Sequence, residues 1–214
     1  QIYNGGGNYG MGLLKTTDGG QTWSRVSNVS YDLSAPSNLI NTQGVFLHPG
    51  NSQILFVFKD NQIYKSTDGG NNFSAVYTSV NSKTIFRDLE FIPPTNSNDP
   101  WIILVTGING EVIRSTNEGS TGTWSDISSN FTLGVDKKLD IGFSINFPDF
   151  VYITEGSKMW KSSNKGVTWS SYTINHGGYR FNYFYNDFVL SPDNNSIMYH
   201  AGNMVSKSTN EGAN

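Results

Sequence analysis

The sequence predicts an all-β protein, a β-propeller of four-stranded antiparallel blades in which a turn motif closes one hairpin of each blade. Two observations support this fold class. A short turn motif recurs at intervals of 46 to 50 residues, and about four short apolar strands fall in each interval. No useful length of chain shows the 3.6-residue periodicity of an amphipathic helix.

The turn motif places a Ser or Thr two residues before an Asp or Asn, and a glycine two residues after it. Five copies begin at Thr16, Ser66, Ser115, Ser162 and Ser208. The central acid or amide is, in order, Asp18, Asp68, Asn117, Asn164 and Asn210. The first four copies end in an aromatic residue: Trp23, Phe73, Trp124 and Trp169.

Each residue type in this motif suits a tight hairpin. Glycine adopts positive φ at no steric cost, and an Asp or Asn side chain accepts hydrogen bonds from the amides of its own turn. The closing aromatic side chain is expected to pack into the seam between blades. Because the position tolerates both Asp and Asn, the pattern indicates a structural turn rather than a catalytic or calcium-binding group, for which the charge would matter.

Apolar strands surround each copy of the turn. The strand before it ends in a cation: Lys15, Lys65, Arg114, Lys161 and Lys207. A more apolar strand lies earlier, as in 54–58 and 101–105, and a first strand ends near proline, as in 45–49. These periods predict a single propeller segment with a partial blade at 1–34, blades at 35–80, 81–131 and 132–175, and a partial blade at 176–214.

The ends of this segment raise the question of closure. The first blade lacks its innermost strand and the last lacks its outermost, so three blades are complete. An unclosed propeller leaves strand edges and a blade face uncovered. We therefore expect the segment to belong to a longer chain with seven or more blades; a five-bladed ring closed in an unusual way is the alternative.

Composition narrows the class of protein further. The chain has 214 residues, no cysteine, a net charge of −3 and 14% aromatic residues. The absence of cysteine excludes disulfides and thiolate metal sites, and no basic stripe is present to bind nucleic acid. No apolar run reaches the roughly 20 residues of a membrane span. We expect an extracellular or cell-surface protein without cofactor or metal.

The repeat resembles the Asp-box (BNR) repeat of sialidases, sortilin-type receptors and xyloglucan-hydrolysing propellers. The stretch His48–Gly70 is most similar to the sortilin and xyloglucanase branch, and Gly10–Trp23 is also similar to large secreted proteins of Bacteroidetes-type bacteria that carry type IX sorting domains. The resemblance implies a propeller fold with the boxes at the blade periphery, away from ligand sites.

Ligands of propellers bind at the mouth of the central channel, where the innermost strands begin. Aligning those strands places Asp88, Asp140 and Asp187 at one equivalent position, which Gly44 occupies in the first complete blade. One interpretation is an acidic ring that binds a cation or supplies a general acid and base. The other is a residue at the strand start that caps backbone amides.

A second group of acids lies in the loops between strands two and three: Asp60, Glu111 and Glu155. The xyloglucan-hydrolysing family carries a catalytic Asp in such a loop, followed by a glycine pair. The resemblance therefore makes Asp60 a catalytic candidate. It is a weak one, because Asn61 and Gln62 stand where the family has its glycine pair.

The segment 176–186 enters the last inner strand with many aromatic residues. Aromatic faces stack on sugar rings and arginine binds carboxylates, so Tyr179, Arg180, Tyr183 and Tyr185 are ligand-binding candidates, together with Arg87. The segment is equally suited to filling the channel or packing on a neighbouring domain.

Two functions follow from these features. The first is a non-enzymatic extracellular scaffold or binding module that recognises a protein or a glycan. The alternative is a glycoside hydrolase of the xyloglucanase-like class whose catalytic carboxylates lie partly outside this segment. Sialidase activity is disfavoured because the arginine motif of that family is absent, and the similar photosystem-assembly propellers carry an arginine-rich patch that is missing here.

Overall fold

A computed structural model describes residues 12–29, 42–131, 139–155, 158–174, 187–201 and 205–212. The chain divides into two compact units, Gln1–Phe86 and Arg87–Asn214. Strands dominate both units, and every helical element among the described residues is a single 3-10 turn.

The first unit contains a hairpin and a four-stranded antiparallel sheet. The hairpin is formed by β1 (Leu14–Lys15) and β2 (Ser24–Arg25), and a 3-10 helix (Ser27–Val29) follows it. The sheet has the order β3 (Thr42–Leu47), β4 (Leu55–Lys59), β5 (Gln62–Ser66) and β6 (Ser74–Thr78).

The centre of this sheet is apolar on both faces, which explains the unbroken run of large side chains in β4. Val57 packs with Val26 and Val29 from the segment after the hairpin. On the opposite face, the ring of Phe58 lies 4.8 Å from that of Phe46. A strand covered on both faces cannot alternate apolar and polar residues, so it lacks the period-2 pattern of a half-exposed strand.

The second unit contains three successive antiparallel sheets. The first comprises β7 (Phe86–Ile92), β8 (Ile102–Gly107), β9 (Val112–Ser115) and β10 (Trp124–Asp126). The second comprises β11 (Asp140–Ser144), β12 (Phe147–Glu155), β13 (Lys158–Ser162) and β14 (Ser170–Thr173). The third comprises β15 (Asp187–Leu190), β16 (Met198–Ala201) and β17 (Val205–Ser208). Two 3-10 helices span Ile108–Gly110 and Ser128–Asn130.

Side chains of adjacent sheets interlock in this unit. One core cluster joins Ile92 and Leu104 of the β7–β10 sheet to Ile141 and Trp160 of the next sheet. A second cluster joins Tyr152 and Met159 to Phe188, Leu190 and Met198 of the third sheet. Sequentially adjacent sheets therefore bury each other's faces.

Gly142 allows a close approach of two of these sheets. A Cβ built on Gly142 would lie 2.6 Å from Phe188 Cε1 and 2.7 Å from Leu190 Cδ1. A larger residue in this strand would push β15 away from β11, so the glycine is needed for packing rather than for a turn.

The prediction of an all-β chain with four-stranded antiparallel sheets is confirmed. In each of these sheets the strands are neighbours in chain order, which is the topology expected of a β-meander. In the part of the chain that the structure describes, no helix is long and apolar enough to cross a membrane.

Candidate functional site

The recurring turns are held by a serine or threonine hydroxyl. In the second turn, Ser66 Oγ accepts hydrogen bonds from the amides of Asp68 (3.3 Å) and Gly70 (2.9 Å), and it donates to Asp68 Oδ1 (2.8 Å). Ser66 is buried, so its removal would leave two backbone donors without this acceptor. Equivalent hydroxyl–amide bonds to the glycine occur at Thr16, Ser115, Ser162 and Ser208.

The central acid or amide of the turn accepts a second set of bonds. Asp68 Oδ1 receives the amides of Asn71 (3.0 Å) and Asn72 (2.9 Å). In the fourth turn, Asn164 Oδ1 receives the amide of Thr168 at 2.8 Å, so a neutral acceptor occupies the same place. An oxygen at this position is what the geometry requires, and a charge is not.

Where the charge is present, the turn stabilises it. Hydrogen bonds from Thr22 and Thr16 lower the pKa of Asp18 to about 2. Bonds from the backbone and side chain of Asn72 and from Ser66 hold the pKa of Asp68 well below its ordinary value. Burial acts on both groups in the opposite direction and raises the pKa, so these lowered pKa values come from local hydrogen bonding.

The closing aromatic residues differ in their surroundings. Phe73 is buried against Val26 and Val29 of the preceding hairpin, and the Trp169 ring lies 5.1 Å from that of Phe131. Trp23 is 58% exposed, contrary to the expectation that each closing aromatic fills a seam.

Three of the five cations that end the strands before the repeat turns reach the following turn. Lys15 Nζ donates to Gly69 O at 2.8 Å, Arg114 Nε donates to Lys165 O at 3.1 Å, and Lys161 pairs with Glu211. Gly69, Lys165 and Glu211 all follow the central Asp or Asn of their turns. We call these contacts cation bridges. The sequence showed the cation at each strand end but gave no sign of its partner.

Two of the three inner-strand acids, Asp88 and Asp187, accept hydrogen bonds from backbone amides. Asp88 in β7 accepts from its neighbour Leu89 N (2.9 Å) through Oδ1 and from Ile141 N of β11 (2.8 Å) through Oδ2. Asp187 accepts from Phe188 N at 3.0 Å and is exposed, whereas Asp140 is buried. This is the geometry expected of amide caps at strand starts. The second bond of Asp88 brings it beside Ile141, the residue that follows Asp140. A ligand-binding role for the three acids stays a prediction.

Glu90, two residues beyond Asp88 on the same strand, was missed by the sequence reasoning. Burial, with a further contribution from the charge of Asp88, raises the pKa of Glu90 to about 8. A protonated carboxyl therefore stands beside an ionised one at neutral pH. The available signal was a glutamate between two buried apolar residues, Leu89 and Phe91.

The acids of the loops between strands two and three belong to three different sheets. Asp60 lies in the two-residue turn between β4 and β5 and has a φ of 52°. Glu111 follows the 3-10 helix between β8 and β9, and Glu155 ends β12. Asp60 belongs to the first compact unit and the other two to the second.

The remaining ligand candidates are only partly described. Arg87 is exposed in β7. Tyr179, Arg180, Tyr183 and Tyr185 lie outside the described residues. Across the described ranges, no cluster of three or more His, Asp or Glu side chains is arranged to hold a metal ion.

Comparison with known proteins places the fold in the β-propeller class. A crystal structure of an ancestral GH74 enzyme matches with a TM-score of 0.62 and 20% identity, covering 90% of this chain and 25% of that one. The Niastella koreensis GH74 enzyme matches at 0.61 and 19%, covering 94% and 34%. YCF48 bound to D1 peptide matches at 0.55 and 19%, covering 93% and 58%. At these identities the likeness concerns the fold alone.

One curated relative extends the likeness to sequence. The chain is 27% identical over 171 residues to a xyloglucanase of Hypocrea jecorina (strain QM6a). The aligned part is 78% of this chain and 17% of the xyloglucanase, so the chain spans about a sixth of its relative's length. No family model matches the chain.

Proposed function

We propose that the chain forms Asp-box blades of a β-propeller that binds a glycan outside the cell or at its surface, without itself being an enzyme. The observation that carries this proposal is the bonding of Asp88. Both of its carboxylate oxygens accept backbone amides, one of them from the neighbouring inner strand. A carboxylate used in this way organises the channel side of the sheets instead of attacking or protonating a substrate.

The blade assignment rests on the sheets and their turns. The proposed blades at 35–80, 81–131 and 132–175 contain β3–β6, β7–β10 and β11–β14, and the partial blades at 1–34 and 176–214 contain β1–β2 and β15–β17. The hydroxyl and acid bonds of the turns have the form expected of Asp boxes. We further propose that the rest of a longer chain is the partner that completes the propeller.

The choice of a glycan as ligand rests on the xyloglucanase relative and on the aromatic candidates. Tyr179, Tyr183 and Tyr185 supply faces of the kind that stack on sugar rings, and Arg180 and Arg87 supply donors. A protein ligand recognised by the same surface is the competing outcome.

Isothermal titration calorimetry with xyloglucan oligosaccharides tests this proposal. We expect binding that Tyr183→Ala weakens at least tenfold. Trp23→Ala, which removes an exposed aromatic residue from a repeat turn, is the matched control and is expected to bind normally. Equal loss in both variants, or no binding by the folded chain at millimolar oligosaccharide, would contradict the proposal.

A second candidate function is glycoside hydrolysis, and one observation favours it. Glu90 and Asp88 are two residues apart on β7 and therefore lie on the same side of the strand. The pKa of Glu90 is raised to about 8, which keeps a general acid protonated beside a base. The test is the release of reducing ends from xyloglucan. If this activity is present, is lost in Glu90→Gln and is kept in Glu111→Gln, glycoside hydrolysis replaces glycan binding as the proposed function.

A further inference from the structure

The third sheet of the second unit has one buried face and one exposed face. Phe188, Leu190 and Met198 pack on the preceding sheet. The alternate positions are open: Val189 is 58% exposed, Tyr199 39% and Val205 73%. We call the exposed side of β15–β17 the terminal face; it comprises Asp187, Val189, Tyr199, Ala201, Val205 and Lys207.

Three paired positions of the terminal face match three positions of a largely buried face one sheet earlier. There, Gly142 pairs with Tyr152 across β11 and β12, and Tyr152 pairs with Lys161 across β12 and β13. In the terminal face, Val189 pairs with Tyr199, and Tyr199 pairs with Lys207.

The tyrosine and lysine of the two faces also share their geometry. Lys161 Nζ lies 5.8 Å from the Tyr152 ring centroid, and Lys207 Nζ lies 5.8 Å from that of Tyr199. What differs is exposure, because Tyr152 is completely buried. The same tyrosine–lysine pair therefore has a buried tyrosine in one sheet and a partly exposed tyrosine in the next.

The structure shows what covers the earlier face. Phe188 and Leu190, an apolar pair two residues apart on the next inner strand, lie against Gly142. Glu211 in the next repeat turn receives Lys161. A covering sheet thus supplies two things, an apolar pair on its first strand and an acceptor in its turn.

The turn acceptor is a general feature of the chain. Lys15 and Arg114 donate to the backbone carbonyls of Gly69 and Lys165, which occupy the position that Glu211 holds in its own turn. Lys207 ends its strand at the position of these cations. Its charge is complementary to one more turn of the same kind.

We propose that the terminal face binds a further antiparallel sheet of this repeat type. That sheet presents an apolar pair to Val189 and Tyr199 and a turn carbonyl or carboxylate to Lys207. Val189 is larger than Gly142, so the side chain opposite it is smaller than Phe188. The proposal rests on the blade assignment in the proposed function, but not on the glycan ligand.

The chain's own sequence provides the probe. Asn210-Glu211-Gly212 is identical to Asn117-Glu118-Gly119, so a copy of residues 120–174 can follow Gly212 in register. The extended chain then carries copies of Ile141 and Phe143 as the apolar pair and a copy of Lys165 in the turn. This pair already packs on the β7–β10 sheet in the native chain.

A coupling measurement decides the outcome. We expect Val189→Asp to raise the unfolding equilibrium constant less than threefold in the original chain and more than tenfold in the extended chain, measured by urea denaturation. Val167→Asp is the matched control, since Val167 is also 58% exposed but lies in a repeat turn, and it should act equally in both chains. Equal effects of Val189→Asp in the two chains would overturn the proposal.

Two further outcomes keep the test decisive. If the extended chain does not fold, a second extended chain is made in which a copy of residues 167–212 follows Gly212. In this chain Val189 of the original copy is replaced by glycine (Val189→Gly), which makes room for the Phe188 side chain of the added copy. Failure of Tyr199→Asp to destabilise that chain more than the original would also overturn the proposal. Self-association of the original chain that Val189→Asp abolishes would assign the face to a second copy instead. Glycan binding is measured separately by calorimetry. A chain that binds no glycan would therefore not change the interpretation of these unfolding measurements.

Discussion

Asp88 in β7 receives the backbone N–H of Ile141 in β11, with 2.8 Å between the amide nitrogen and Oδ2. The bond joins the first strands of two consecutive sheets. Elsewhere these two sheets pack on each other through apolar side chains. The other oxygen of Asp88 accepts from Leu89 N on its own strand, so one carboxylate fixes both strands where they come together. A carboxylate at this point is therefore a structural link between sheets.

Removing this link should destabilise the fold. We expect Asp88→Ala to lower the free energy of unfolding by about 1 to 3 kcal/mol, because a partly buried amide loses its acceptor. Asp187→Ala removes an exposed carboxylate whose bond among the described residues, to Phe188 N, lies within its own strand, and it should cost about 0.5 kcal/mol or less. Urea denaturation of both variants measures the difference, and equal losses would show that the contact between strands contributes nothing.

The contrast between Asp88 and Asp187 shows how far the sequence could go. The repeat period predicted the sheets because each period contains its own strands and turn, and these are local features. The register that aligns Asp88, Asp140 and Asp187 was also visible. Their different bonds were not, because the partner of Asp88 is 53 residues away and is fixed by the packing of one sheet on the next.

Glu90 illustrates the same limit for charge. Its place between apolar residues in β7 can be read from the sequence, but its pKa depends on its burial in the folded chain and on the charge of Asp88. The cation bridges are a third example. The cation recurs once in each repeat of the sequence, but its acceptor lies in the turn of the next repeat. The cation and its acceptor come together only when the sheets have packed on each other.

The raised pKa of Glu90 predicts a pH dependence of stability. The folded state holds the proton up to about pH 8, whereas the unfolded chain releases it near the ordinary value of 4.5. Between these values the unfolded state binds fewer protons, so the free energy of unfolding falls as pH rises, by at most about 1.4 kcal/mol per pH unit. Urea denaturation at pH 5, 6, 7 and 8 measures the slope.

Glu90→Gln should flatten that slope and make the protein more stable than the wild type at pH 8, because a neutral amide replaces a carboxyl that must ionise. Glu111→Gln is the control and should leave the slope unchanged. A Glu90→Gln variant with the wild-type slope would assign the pH dependence to other groups.

The repeat turns predict opposite results for two substitutions in one turn. Ser66→Ala removes the buried hydroxyl that accepts two amides, and it should cost about 1 to 2 kcal/mol of unfolding free energy. Asp68→Asn keeps the acceptor oxygen, as Asn164 does in the fourth turn, and should have a small effect above pH 4. Thermal unfolding of the two variants at pH 7 distinguishes them, and a larger loss for Asp68→Asn would show that the charge itself holds the turn.

The cation bridge between Lys161 and Glu211 should be measurable as a coupling energy. Each side chain is about one quarter to one third exposed, so solvent screens the pair and the coupling should be about 0.5 to 1 kcal/mol, decreasing in 1 M salt. A double-mutant cycle of Lys161→Gln and Glu211→Gln isolates it from the other contacts of each residue. Lys158→Gln serves as the control, because Lys158 lies over the Trp160 ring on the same strand and should show no coupling to Glu211. Additive effects of Lys161→Gln and Glu211→Gln would mean that the bridge does not hold adjacent sheets together, and that the repeated cation serves its own strand alone.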